Sequence, residues 1–148
     1  MKQLIKIQRE LKAPKGQRNN FGNYNYRNAE DILEAVKPLL GETILTISDE
    51  MVMLGDRFYV KATATLQEGE KTISVSAYAR ESLEKKGMDS AQVTGSTSSY
   101  ARKYALNGLF CIDDTKDADH DSQHVAQSTV PIKKGAENLP TVDLDFLN

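Results

Sequence analysis

Residues 95–114, GSTSSYARKYALNGLFCIDD, hold the chain's densest set of side chains that could do chemistry. Gly95 is followed by four hydroxyls, Ser96, Thr97, Ser98 and Ser99, and Tyr100 and Tyr104 bracket the adjacent Arg102 and Lys103. Such a set could cradle a nucleotide phosphate, activate a hydroxyl for nucleophilic attack, or hold a polyanion. The first needs G-x-x-x-x-G-K-[ST], whose backbone amides and lysine surround the phosphates, and that spacing occurs nowhere in the sequence. ATP-driven recombinase or helicase chemistry is therefore not expected. The second needs a base beside the hydroxyl. The stretch is not G-x-S-x-G, and His120 and His124 both fall in a polar segment beyond it. The third needs only donors and cations in the right places.

Metal chemistry finds no better support. A calcium loop starting at Asp117 would need Gly at its sixth position and Glu at its twelfth; Ser122 and Ser128 stand there. His120 and His124 are four apart without the glutamate of H-E-x-x-H, in a segment too polar to preorganise ligands. No metal and no cofactor are expected. The one cysteine, Cys111, excludes an internal disulfide and fits a reducing cytoplasm. No run is long and apolar enough for a membrane span, and no secretory signal is visible.

Charge favours the polyanion. Residues 1–112 carry 16 Lys and Arg against 13 Asp and Glu, whereas residues 113–148 carry 3 against 8. A basic body with an acidic tail suits a nucleic-acid binder.

The elements that must position these groups follow from periodicity. Leu4, Ile7 and Leu11 make residues 2–12 a short amphipathic helix, stopped by Pro14 and Gly16. The stretch PKGQRNNFGNYNYR has no apolar period but brings Lys15, Arg18, Tyr24 and Arg27 together as a basic, aromatic loop. Asn28 caps a second helix with Ile32, Val36, Leu39 and Leu40 as its stripe, and Pro38 should loosen its last turn. TILTIS and MVML are short strand candidates around a turn at Asp49 and Glu50. Residues 57–80 form the clearest hairpin, with Phe58, Val60, Ala62, Ala64 and Leu66 on the face of Ile73, Val75, Ala77 and Ala79. A turn at Glu68 and Gly69 would set Val60 opposite Ala77, Tyr59 opposite Tyr78 and Arg57 opposite Arg80. Residues 89–110 make a long helix, and residues 114–148 a disordered acidic tail following a domain of residues 1–113.

On a helical wheel of about 100° per residue, Val93, Tyr100, Tyr104 and Cys111 share one stripe, while Gly95, Ser99, Arg102 and Lys103 lie in another sector. The stripe reads as core packed on the sheet; the other reading has the tyrosines stacking on bases. The sector of small residues beside cations suits phosphate better than a solvated face, so Arg102, Lys103 and Ser99 lead the candidate contacts. Arg57, Arg80, Tyr59 and Tyr78 on the outer hairpin face follow, with Lys15, Arg18, Tyr24 and Arg27. Leu106, Leu109 and Phe110 fall outside the tyrosine stripe and need cover from a second element or a second subunit.

The same stretch resembles the signature of the Erf-type phage single-strand annealing proteins, roughly G-S-x-x-T-Y-x-R-R-Y-A-L followed by a short apolar run and acids. Gly95, Ser96, Tyr100, Arg102, Tyr104, Ala105 and Leu106 match it, Ser99 stands for the threonine and Lys103 for the second arginine. YNYRNAEDILEAVKPLL looks like the family's earlier aromatic-then-helix segment. The resemblance implies an α+β fold: a curved antiparallel sheet of three to four strands, a long C-terminal helix packed on it, and N-terminal helices. It implies a non-catalytic, ATP-independent protein that binds single-stranded DNA, assembles into a homo-oligomeric ring or filament, and anneals complementary strands in phage-type recombination. A host single-stranded DNA-binding protein is a further expected partner, and the host cytoplasm the expected place. Two alternatives stand beside annealing: passive coating of single strands, and a metal-dependent nuclease.

Overall fold

The computed structural model describes residues 1–112. The expected boundary after residue 113, the acidic tail, His120 and His124 lie outside the described residues. Three helices, a three-stranded sheet and a two-stranded sheet follow in the order α1 (Lys2–Glu10), β1 (Gln17–Asn19), β2 (Tyr24–Tyr26), α2 (Ala29–Val36), β3 (Ile44–Leu54), β4 (Arg57–Glu68), β5 (Lys71–Arg80) and α3 (Ser90–Phe110). Among these helices none is long and apolar enough to cross a membrane.

The helix ends obey local chemistry. Asn28 accepts from the backbone N–H of Asp31 while the Asp31 carboxylate accepts from that of Asn28, and Asp89 and Gln92 make the same reciprocal pair at the start of α3. Each box satisfies two amides that a helix start leaves without partners. Pro38 turns the end of α2 into a short 3-10 segment, Lys37–Leu39.

The large sheet is antiparallel, in the order β3-β4-β5. Both of its hairpins turn through two residues whose first is a glycine with positive φ, Gly55 at 64° and Gly69 at 59°. Glycine takes this conformation without a Cβ clash. The second turn therefore lies at Gly69 and Glu70, one residue beyond the expected Glu68 and Gly69. That displacement moves every pairing by two: Val60 faces Ala79, Ala62 faces Ala77, Ala64 faces Val75 and Leu66 faces Ile73. The core face is as expected, because a shift of two conserves alternation. On the outer face Tyr59 meets Arg80 and Lys61 meets Tyr78, not the expected tyrosine and arginine pairs. Nor do Asp49 and Glu50 form a turn: β3 runs unbroken from Ile44 to Leu54.

Small residues set the distance between helix and sheet. Thr97, Ala101, Ala105 and Leu109 of α3 are buried, as are Ala62 and Ala64 of β4. Alanine on both sides lets the layers come close, and Gly108 completes the fit: a Cβ there would lie 2.9 Å from Val75 Cγ1. Leu106, Leu109 and Phe110 are buried within a single chain, in one cluster with Leu4 and Ile7 of α1 and Ile32 and Val36 of α2. Gln8 of α1 also donates to the carbonyl of Leu109 at 3.0 Å. The end of α3 thus gets its cover from the N-terminal helices and needs no second subunit for it.

Phe58 keeps its expected side of the sheet but is half exposed, lining a hollow with Leu83 and Met88 beside the start of α3.

Candidate nucleic-acid interface

α3 carries the candidate residues on two different sides, and its packing decides which side is which. The row that meets the sheet is Thr97, Ala101 and Ala105. Tyr100 and Tyr104, expected in the core, are 48% and 46% exposed. The expectation fails because it ranked side chains by apolar size. Against a sheet face of alanines the close fit goes to alanine and threonine, which turns the adjacent tyrosines outward.

Arg102 lies on the opposite side, against β3. Its Nε sits 3.1 and 3.0 Å from the two carboxylate oxygens of Asp49, its Nη2 is 2.8 Å from Oδ2, and Ser98 Oγ donates to Oδ2 at 2.5 Å. Partial burial works to raise the Asp49 carboxyl, but the hydrogen bonds from Arg102 and Ser98 and the arginine's charge outweigh it and leave it below its ordinary value. The hydrogen bond to Asp49 raises Arg102 in turn. This is a clasp between helix and edge strand, and it explains why Asp49 is a strand residue rather than a turn former.

The tyrosine side has another character. The rings of Tyr100 and Tyr104 lie 6.2 Å apart at 44°, and Lys103 Nζ is 4.7 Å from one ring centre and 5.0 Å from the other. Burial, then the neighbouring Arg27 and Lys15, lowers the Lys103 ammonium from its ordinary value. Burial, then Tyr24, Tyr104 and Tyr26, raises the Tyr100 phenol. Three cations and four tyrosines from two separate stretches of chain therefore act on one another. Such crowding of positive charge is what a bound phosphate would relieve.

The β1–β2 hairpin brings the second stretch to this place. It was expected as an irregular loop because it buries nothing apolar and so shows no alternation. Its register pairs Gln17 with Tyr26, Arg18 with Asn25 and Asn19 with Tyr24. Asn19 ties the turn by accepting from the backbone N–H groups of Phe21 and Gly22 and donating to the Tyr24 hydroxyl. Gln17 anchors the hairpin to Asp31 at the start of α2, and buried Arg27 closes its base by donating to the Ala13 carbonyl. Tyr24 and Tyr26 meet edge to face at 6.2 Å, and Phe21 stands fully exposed at the tip. Arg18 is exposed and bonded to Asn23 and Asn25.

On its other flank the tyrosine side of α3 borders the free edge of the sheet. Tyr78, Arg80, Lys85, Ser96, Tyr100 and Tyr104 line a groove of about 370 Å³ between α3 and β5. The structure thus joins Arg80 and Tyr78 to the signature tyrosines. Arg57 and Tyr59 are half-buried on β4, and Ser99 is half-buried on α3. Tyr26, Phe21, Lys85 and the outward orientation of Tyr100 and Tyr104 escaped the sequence reading. The one available signal was the row of small residues at 97, 101 and 105, which marks a tight helix–sheet contact.

A mixed α+β domain with a basic, aromatic groove beside its last helix is the frame on which family membership can be stated: the chain belongs to the ERF superfamily, whose family model matches residues 1–141. It is 62% identical over 131 residues to the Essential recombination function protein of Salmonella phage P22, a stretch that makes up 88% of this chain and 64% of that protein. The chain thus spans a little under two thirds of that relative. No solved structure matches it.

Proposed function

We propose that this chain serves homologous recombination of the phage type by binding single-stranded DNA and annealing complementary strands without ATP. One observation carries the reading: the two signature tyrosines, Tyr78, Arg80 and Lys85 line a single groove, Lys103 lies over the tyrosine rings, and Lys15, Tyr24 and Tyr26 are near enough to act on Lys103 and Tyr100. Cations beside aromatic rings hold a strand by its phosphates and bases without reading sequence. Membership of the ERF superfamily and the recombination function in the relative's name support the same role. Within this reading Lys103, Arg80, Lys15 and Arg18 neutralise phosphates, Tyr78 and Tyr24 contact the strand beside them, and Ser99, Tyr59 and Arg57 lie at the margin. Arg102 braces α3 on β3. Assembly into a homo-oligomer belongs to the reading too, with the outer edges of β3 and β5, which pair with no strand among the described residues, as surfaces where copies could meet.

Mixing complementary oligonucleotides with the protein, with and without divalent metal, tests it. Accelerated pairing that needs neither ATP nor metal is the expected result. Binding without acceleration would make the protein a passive coat, and shortened strands in the metal arm would make it a nuclease.

A further inference from the structure

Resting on the single-strand reading above, we propose that the groove between α3 and β5 is a base-stacking site that separates single strands from duplex. Bases lie on the rings of Tyr78, Tyr100 and Tyr104, while Lys103, Arg80 and Lys85 meet the flanking phosphates. Three observations converge on it. The three tyrosines line one groove and are each about half exposed, at 49%, 48% and 46%, so their rings are held in place yet open to a ligand. A cation already sits within 5.0 Å of two ring centres, where the phosphate next to a stacked base would need it. The groove, about 370 Å³, is at the small end of sites that take one organic group, which suits a base or two rather than a helix or a duplex.

Single strands follow from the chemistry. Every base has a π-face, so tyrosine rings accept any sequence. In duplex those faces are covered by neighbouring base pairs, and the rings then have nothing to cover. Only the phosphate contacts survive pairing. The annealed product therefore loses the stacking part of its affinity and leaves, while unpaired strand is retained.

Affinity for three ligands decides the matter: a single-stranded oligodeoxynucleotide, an abasic oligomer with the same phosphates, and the duplex. The protein should bind the intact strand about ten-fold more tightly than the abasic one, in line with base–aromatic stacking elsewhere, and more tightly than duplex. Tyr100→Leu with Tyr104→Leu should abolish the difference between intact and abasic strands, and Tyr100→Phe with Tyr104→Phe should keep it. Equal affinity of the unaltered protein for intact and abasic strands would overturn the stacking site while leaving single-strand binding in place. If neither strand binds, the functional reading falls as well. The abasic comparison uses the unaltered protein, so a leucine variant that failed to fold would not disturb it.

Discussion

The two sides of α3 draw on neighbouring residues of one signature and do opposite work. Ser98 and Arg102 clasp Asp49 on an edge strand, with Ala101 and Ala105 pressed onto the sheet beside them. Tyr100 and Tyr104, one or two positions away, face a groove, with Lys103 over their rings and a cluster of cations beside it. A bidentate arginine is well suited to phosphate, yet here a carboxylate of the same chain has taken it. A tyrosine is well suited to a core, yet here the core selected alanine. Residue type proposes a role, and the space left by the opposite layer decides it.

Four substitutions on the packed and clasped side should affect stability and leave the groove alone. Phe110→Ala should have the largest effect, about 3–5 kcal/mol, because the ring is fully buried and its removal leaves a cavity among α1, α2 and α3. Chemical denaturation measures it. Ala105→Leu should come next, at about 1–3 kcal/mol, since the helix has no room to accept a larger side chain against β4 and β5. A neutral result in the same denaturation experiment would mean that the alanine row does not set the helix–sheet distance.

The clasp should have the smallest effect. Arg102→Ala or Asp49→Asn should each cost about 0.2–1 kcal/mol, the usual value of a partly exposed pair. The double variant should cost little more than either one, because the two residues share one interaction. Its pH dependence has a definite sign. The Asp49 carboxyl is lowered in the folded chain, so its contribution is complete above the ordinary carboxylate range and is lost as pH falls through the lowered folded value. Melting curves across the acid range should show that loss in the unaltered protein and a smaller one in Asp49→Asn.

The sequence revealed the elements better than it revealed their faces. The cap at Asn28 was legible because it is local, and the long helix was found to within a residue. The core face of the β4–β5 hairpin was legible because alternation survives a displaced turn, whereas the pairing depended on whether the turn began at Glu68 or Gly69. β3 was read as two strands because Asp49 and Glu50 look like a turn. What holds Asp49 in the strand is an arginine 53 positions away, which no local pattern can show. The β1–β2 hairpin left no apolar signature because it buries almost nothing, and Arg27, expected among the surface contacts, is the residue that closes its base. In the candidate site the structure keeps Arg80 and Tyr78 beside Tyr100 and Tyr104 and lays Lys103 over the tyrosine rings. The placing of Tyr100, Tyr104 and Arg102 changed because the sheet took neither of the two sectors but the row of Thr97, Ala101 and Ala105 between them, and Lys103, grouped with Arg102 on the wheel, lies over the tyrosine rings instead.

The most direct test measures melting temperature and single-strand affinity on the same two proteins. In one, Tyr100 and Tyr104 are both changed to Ala; in the other, Arg102 is changed to Ala. The tyrosine variant should melt close to the unaltered protein and lose most of its affinity. The Arg102 variant should melt slightly lower and keep its affinity and salt dependence. A tyrosine variant that unfolds, beside an Arg102 variant that stays stable and stops binding DNA, would contradict the division of labour on α3.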